Sequence, residues 1–255
     1  MGSFPAILQS EWTKIRSVRS TMWTLLLTFV VTVALGGLIS LLTKNNFGDF
    51  TKDLHAPFDA TATSFSGIML GEIAMIVFGV LAVGNEYSSR MIRVSLAAVP
   101  QRGTLLTAKS LVIGALALLV SLVTAFVTFF LGQALLGDHH TTLGAPNVLR
   151  AVLGAAVYLT LLCLLSAGVT AMLHNQTLAL GVLVPFFFLL SPILSAVPKV
   201  KTLAHYFPDY AGRQMLTVFP SSSEPYGWLA GFFICAGWTL LALLGGAAVL
   251  KRRDA

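Results

Sequence analysis

Apolar runs, each long enough to cross a membrane, are the feature that most restricts how this sequence can fold. A helix needs about 20 apolar residues to span the hydrocarbon core of a bilayer. Because a bilayer offers no water to unpaired backbone groups, such runs predict helices and not open sheets. Six runs are found, at residues 23–42, 65–84, 111–136, 148–173, 177–196 and 227–250. The sequence therefore predicts an all-α integral membrane protein with six transmembrane helices, forming a single transmembrane domain over residues 1–255.

The composition agrees with a membrane protein. Hydrophobic residues make up 56% of the chain and charged residues only 10%, whereas a soluble domain carries about 25% charged residues. The net charge of +6 would raise the question of nucleic acid in a soluble protein. No basic face interleaved with exposed aromatic residues is present, so membrane lipid is an expected partner and nucleic acid is not.

An amphipathic segment precedes the first run. From residue 4 to residue 22 apolar side chains recur at every third or fourth position, which is the spacing of one helix face. Trp12 belongs to this face, and the opposite face carries Lys14, Arg16 and Arg19. A helix of this kind lies in the membrane interface with its cations near anionic headgroups. Residues 4–22 are therefore predicted to form an interfacial helix.

The distribution of positive charge predicts the orientation of the chain. With six crossings, both termini lie on one side, together with the polar interval 86–109. That side holds ten Lys and Arg residues and the other side holds six. Cytoplasmic segments carry the excess of Lys and Arg. Both termini and the 86–109 loop are therefore predicted to be cytoplasmic.

Groups that could carry out catalysis are scarce. The sequence has no Gly-x-x-x-x-Gly-Lys-Ser/Thr run to hold phosphates, so ATP hydrolysis by this chain is not expected. His139 and His140 have only Asp138 nearby in the sequence, whereas a metal site recruits three or four ligands. We therefore predict a solvated loop there, and neither a metal site nor a catalytic residue.

Glu72 is the exception within the apolar runs. A carboxylate inside a membrane is costly unless it is neutral, paired or wetted, so it is a candidate for function. It can also be a hydrogen-bonded residue at a helix contact, since Gly67 and Gly71 would allow close packing. Both interpretations stay open at this point.

The fifth run contains three consecutive aromatic residues, Phe186, Phe187 and Phe188, between Pro185 and Pro192. Proline within a helix removes a hydrogen bond and kinks it. A kinked aromatic helix can form the wall of a cavity for an apolar substrate, and it can equally be ordinary core or lipid-facing packing.

Three parts of the sequence resemble a known family. They are residues 10–21, reading SEWTKIRSVRST; the pairs Glu86-Tyr87, Ile92-Arg93, Val99-Pro100 and Ala108-Lys109 together with Arg102; and residues 206–212, reading YFPDYAG. In these parts the chain resembles permease subunits of the ABC type-2 exporter family, in particular its small actinobacterial members. It departs from them at Arg90 and Met91, where similar proteins usually have Gly and Thr.

The resemblance implies partner subunits, with ATP bound by a subunit other than this chain. Two permease chains pair, as a homodimer or a heterodimer, and each binds one of two ABC ATPase subunits, which hold ATP and Mg while this chain holds no cofactor. The 86–109 loop then forms a coupling helix. The residues expected to contact the ATPase are Glu86, Tyr87, Arg90, Met91, Ile92, Arg93, Leu96, Pro100 and Arg102.

The resemblance also implies a substrate path. The second and fifth crossings line this path in similar proteins, which favours Glu72 and the Phe186 region as path residues. Residues 197–226 then form an extracellular interval with short helices. The expected function is export of a hydrophobic or amphipathic drug, antibiotic, peptide or lipid across a bacterial plasma membrane, with resistance as one outcome.

Two other classes of function are kept as alternatives. An ion-coupled secondary carrier often has internal repeats and a series of intramembrane acids, neither of which is evident in the sequence. A membrane-embedded lipid-modifying enzyme would need a convergent catalytic set, and none can be recognised.

Overall fold

A computed structural model describes residues 4–52, 58–89, 91–92, 101–198, 200–219 and 224–252. Every regular element within these ranges is a helix. Six helices are long and apolar enough to cross a membrane: Arg19–Asn45, Ala60–Ser88, Gly103–His139, Val148–Leu173, Gln176–Ala196 and Trp228–Leu250. The predicted all-α fold with six membrane-spanning helices is confirmed.

The first two helices differ in their boundary from the prediction. Helix α1 covers Phe4–Ser17 and helix α2 covers Arg19–Asn45, with an extended residue, Val18, between them. The predicted interfacial helix 4–22 is therefore too long, and Arg19 instead begins the first spanning helix. The reason is that a helix continues through polar turns such as Arg19–Thr21, which an apolar run does not include.

The second and third spans are also longer than the apolar runs, whereas the fourth, Val148–Leu173, has the predicted bounds. Asp59 caps the short helix α4 (Ala60–Ser64) by accepting hydrogen bonds from the backbone N–H groups of Thr61 and Ala62, which is the usual role of an N-cap carboxylate. After α4, a 3₁₀ turn leads into α5 (Ile68–Ser88). These elements are α3 (Phe47–Thr51), α4 (Ala60–Ser64), the turn Phe65–Gly67, α5 (Ile68–Ser88), α6 (Arg102–Leu136) and α7 (Val148–Leu173).

The fifth span is divided by a π turn. Its parts are α8 (Gln176–Pro185), the π turn Phe186–Leu190 and α9 (Ser191–Ala196). Short helices α10 (Lys201–Ala204) and α11 (Pro208–Arg213) and the 3₁₀ turn Gln214–Leu216 follow, before the last helix, α12 (Trp228–Arg252).

Helix α7 lies at the centre of the bundle. It packs against α5, α6 and α12, while α2 packs against α5 and α6. Small residues allow the close approach: a Cβ atom at Gly79 of α5 would overlap the backbone carbonyl of Cys163 in α7. This type of contact is common between membrane helices, where van der Waals packing replaces the hydrophobic effect.

Candidate functional site

Four charged side chains meet at the two ends of the 86–109 interval, where α5 ends and α6 begins. Residues 86–88 and 102–109 of this predicted loop are helical. Helix α1 supplies Glu11 and Lys14, the end of α5 supplies Glu86, and the start of α6 supplies Lys109. The Lys109 ammonium lies 2.6 Å from Glu11 Oε2 and 2.7 Å from Glu86 Oε1. Lys14 lies 2.6 Å from Glu11 Oε1 and 3.1 Å from Glu86 Oε1. We call these four residues the base cluster.

The base cluster is buried and electrically balanced. The side chains of Glu11, Glu86 and Lys109 are 1%, 8% and 5% exposed, and that of Lys14 is 23% exposed. Two carboxylates face two ammonium groups, so neither sign of charge is in excess. Removing one member of such a buried set costs about 3–5 kcal/mol, because its partner stays buried without compensation.

Helix geometry explains how Glu11 comes to be buried. Residues Ile7, Glu11 and Ile15 are spaced by four and form the buried face of α1. Glu11 therefore points into the protein between two apolar neighbours and reaches Lys109. Partial burial lowers the pKa of Lys14, but the hydrogen bond with Glu11 and the charge of Glu86 outweigh it and raise this pKa.

Beside the base cluster is a cavity of about 310 Å³, in the elbow between α1, α2 and the end of α5. Lys14, Glu86 and Lys109 contribute to its wall, and so does Met91. Within the described part of the chain, Glu86 Oε2 is buried without a hydrogen-bond partner.

The residues predicted to contact an ATPase differ in their exposure, and several lie outside the described part of the chain. Tyr87 packs edge-on against His174, with ring centroids 4.6 Å apart. Met91 is 47% exposed, whereas Ile92 is 8% exposed and packs with Ile7 and other apolar residues of this chain. Arg90, Arg93, Leu96 and Pro100 lie outside the described residues, as does the side chain of Arg102.

Glu72 is paired with a residue from the segment between the fifth and sixth spans. Its Oε2 lies 3.2 Å from Nη2 of Arg213, which ends α11. The Glu72 side chain is 6% exposed and that of Arg213 is 44% exposed. The fully buried Tyr158 of α7 lies near the same carboxylate, and among the described residues its hydroxyl has no hydrogen-bond partner. Burial alone would lower the pKa of Arg213, but the charge of Glu72 raises it above its ordinary value.

Backbone contacts bring α11 to this position. Gly212 lies against the ring of Tyr158, where any Cβ atom would overlap the ring. At the other end of the segment, Arg150 of α7 donates hydrogen bonds to the backbone carbonyls of Met215 at 3.1 Å and Thr217 at 2.5 Å. The segment is thus fixed to α7 on both sides of Arg213.

A third polar contact joins α11 to the fifth span. The Ser191 hydroxyl donates a hydrogen bond to Asp209 Oδ2 at 2.6 Å, and both residues are buried. Burial raises the pKa of Asp209 above its ordinary value. We call Glu72, Tyr158, Ser191, Asp209 and Arg213 the Glu72 cluster.

The three phenylalanines of the fifth span occupy different environments. Phe187 is 4% exposed, Phe186 is partly buried and Phe188 is 44% exposed. Phe186 and Phe187 line an apolar cavity of about 300 Å³ between α7, the fifth span and α12. Phe188 does not line this cavity.

The remaining predicted residues lie on the surface of the chain. Trp12 is 45% exposed and lies beside Leu111 of α6, and Arg16 and Arg19 are exposed. His139 stacks on Phe47 with ring centroids 3.4 Å apart. Among the residues that the structure describes, no group of three or more His, Cys, Asp or Glu side chains could hold a metal ion.

Several site residues are not predicted from the sequence. Glu11 could be singled out from the sequence, because it is an acid on a helix face, four residues from Ile7 and four from Ile15. The partners Lys109 and Arg213 lie 98 and 141 residues from Glu11 and Glu72 along the chain. No local pattern indicates such pairs.

Comparison with known families identifies the class of protein. A family model described as ABC-2 family transporter protein matches residues 7–192. The match begins in α1, includes the first four spans and ends just after the π turn of the fifth. A search of curated proteins finds no match. Since the family model covers well over half of the chain and six helices can span a membrane, the chain belongs to the ABC-2 transporter family, as one of its membrane-spanning permeases.

Proposed function

We propose that this chain is the permease subunit of an ATP-driven exporter, which moves a hydrophobic or amphipathic substrate out of the cell. A separate ATPase subunit binds ATP and Mg and docks on the 86–109 loop, and a second permease chain completes the transporter. Family membership supports the general class. The base cluster is the observation that carries the proposed mechanism.

The base cluster can transmit movement of the ATPase to the helices of the permease. Glu86 and Lys109 flank the loop and are joined directly at 2.7 Å, so both ends of the loop move together. Each also contacts α1, through Lys14 and Glu11 respectively. Closure of the ATPase pair against the loop would therefore move α1, α5 and α6 as one unit. Buried ion pairs suit this role because they are weakly screened by salt.

The substrate path is proposed to run along α5 and the fifth span. Glu72 marks it on α5, and Phe186 and Phe187 line the apolar cavity of about 300 Å³. An apolar wall with few polar groups is typical of sites for hydrophobic ligands. The apolar lining of the cavity favours a hydrophobic or amphipathic substrate over a strongly polar one such as a polysaccharide.

Transport by inside-out membrane vesicles tests the proposal. Vesicles containing the chain and its ATPase should accumulate a fluorescent amphipathic dye when ATP and Mg are supplied, and vanadate should stop this uptake. The tagged chain should also retain an ATP-hydrolysing subunit through purification in mild detergent. Uptake driven by an ion gradient without ATP would contradict the proposal and favour the ion-coupled carrier.

A further inference from the structure

A groove at the N-terminal ends of α7 and α12 has the features of a lipid site. It has a volume of about 520 Å³ and is open between two spanning helices. Its apolar lining comes from Leu149, Leu153 and Val157 of α7, Leu229 and Phe232 of α12, and Met215 behind them. The three α7 residues are spaced by four and form one stripe of that helix. The stripe is long enough to lie along several carbons of an acyl chain.

Arg150 lies at the head of this groove and carries an unbalanced charge. Its guanidinium lies 5.3 Å from the centroid of the Trp228 ring and is partly exposed. In the described parts of the chain no carboxylate forms an ion pair with it. Its two hydrogen bonds go to neutral carbonyls, of Met215 and Thr217. Of the five N–H donors of a guanidinium, two are used by these carbonyls and Nε is buried without a partner.

The combination points to one kind of occupant. A tryptophan at the end of a spanning helix marks the headgroup level of a membrane, and a cation at that level can pair with an anionic headgroup. Guanidinium is well suited to phosphate because its planar fork matches the phosphate oxygens. We propose that this groove binds an anionic phospholipid, with its phosphate at Arg150 and one acyl chain along the α7 stripe.

Such a lipid would act on the segment that holds Arg213. Arg150 fixes Met215 and Thr217 directly after α11, so a phosphate bound to the same guanidinium would tie this segment to the membrane surface. The site is independent of the proposed export function, since it depends only on the groove and on Arg150.

Quenching of Trp228 fluorescence by brominated lipids tests the site. The full chain is prepared in detergent micelles with Trp12, Trp23 and Trp238 replaced by Phe, so that Trp228 is the reporter. Brominated phosphatidylglycerol should quench at about fivefold lower lipid content than brominated phosphatidylcholine. That factor corresponds to about 1 kcal/mol for one basic residue near an anionic lipid.

Three variants separate charge from groove shape. Arg150→Gln should remove the preference for phosphatidylglycerol, and Arg150→Lys should restore part of it. Val157→Phe fills the groove and should weaken quenching by both lipids, whereas Leu118→Phe, at an exposed position outside the groove, should change neither. Native mass spectrometry of the unmodified chain should show retained phosphatidylglycerol.

Two results would overturn the proposal. One is equal quenching by both lipids in the chain that retains Arg150. The other is weak quenching by either lipid, as expected if a second copy of the chain covers the groove.

Discussion

Glu11 shows how a single residue joins helix α1 to the rest of the protein. It lies in the apolar face of α1 between Ile7 and Ile15, and its carboxylate contacts both lysines of the base cluster. The helical spacing of α1 could be read from the sequence, and so could the basic residues of the 86–109 loop. The contact between them could not, because it depends on how α1 folds back onto α6, 98 residues away.

Replacing Lys109 by Met tests whether the base cluster stabilises the fold. The change leaves Glu11 and Glu86 buried with only Lys14 between them, so we expect a loss of about 3–5 kcal/mol in the free energy of unfolding. Thermal unfolding of the purified chain in detergent measures this loss. Lys109→Arg, which keeps the charge, should retain most of the stability.

Lys52 provides the matched control for this experiment. It pairs with Asp49 at 2.5 Å, but both side chains are largely exposed, at 70% and 79%. Exposed ion pairs contribute between about 0 and 1 kcal/mol, so Lys52→Met should leave the melting temperature nearly unchanged. Equal melting of Lys109→Met and Lys52→Met would argue against a stabilising base cluster.

Met91 and Ile92 are neighbours whose exposure differs, which allows docking and folding to be tested separately. Met91 is exposed and Ile92 is buried against this chain. Under the proposed function, Met91→Asp should lower substrate-stimulated ATP hydrolysis by disturbing the ATPase contact, without changing the stability of the permease. Ile92→Asp buries a charge and should instead lower the amount of folded chain in the membrane.

The two variants are compared by fluorescence-detected gel filtration and by ATP hydrolysis of the assembled transporter. Normal stimulation in Met91→Asp would remove Met91 from the docking surface. A stable Ile92→Asp chain would show that Ile92 tolerates a charge despite its burial.

At the scale of elements, the fifth span shows where sequence reasoning ends. Pro185 and Pro192 predict a disturbed helix, and the structure has a π turn, Phe186–Leu190, between them. Proline supplies the reason for a break, because it removes a backbone donor. It does not determine the type of break, which depends on packing against the neighbouring helices α5 and α7. The sequence likewise does not indicate which phenylalanine turns inward.

The phenylalanines of this turn give a prediction for the element. Phe187→Ala removes a buried ring from the cavity wall, so we expect a loss of about 3–5 kcal/mol in stability and weaker transport of the dye. Phe188→Ala removes a ring that is 44% exposed and lies outside the cavity, so its effect on both should be small. Vesicle uptake and thermal unfolding measure the two effects. If Phe188→Ala proved the more damaging change, the cavity would not be the substrate path.

On the scale of the whole molecule, α5 connects the two charged clusters. Glu86 lies in the base cluster and Glu72 in the Glu72 cluster, 14 residues apart on one helix, which is about 21 Å along its axis. The six spans could be predicted from apolar runs alone, and Glu72 could be singled out as a costly intramembrane acid. Its partner Arg213 could not, because the segment between the fifth and sixth spans has to fold back against α5 and α7 first.

The Glu72–Arg213 pair is therefore the place to test how movement of α5 reaches the substrate path. Glu72→Gln keeps the size of the side chain but removes the charge that holds Arg213. A hydrogen bond to a charged group contributes about 1.5 kcal/mol or more, which is a factor of about ten. We expect the amount of dye transported per ATP hydrolysed to fall about tenfold, with assembly in the membrane unchanged.

Glu224→Gln is the matched control, since Glu224 accepts hydrogen bonds from Tyr210 and Gln214 and does not contact Glu72. A normal transport ratio in Glu72→Gln would mean that the pair only holds α11 in place and takes no part in transport.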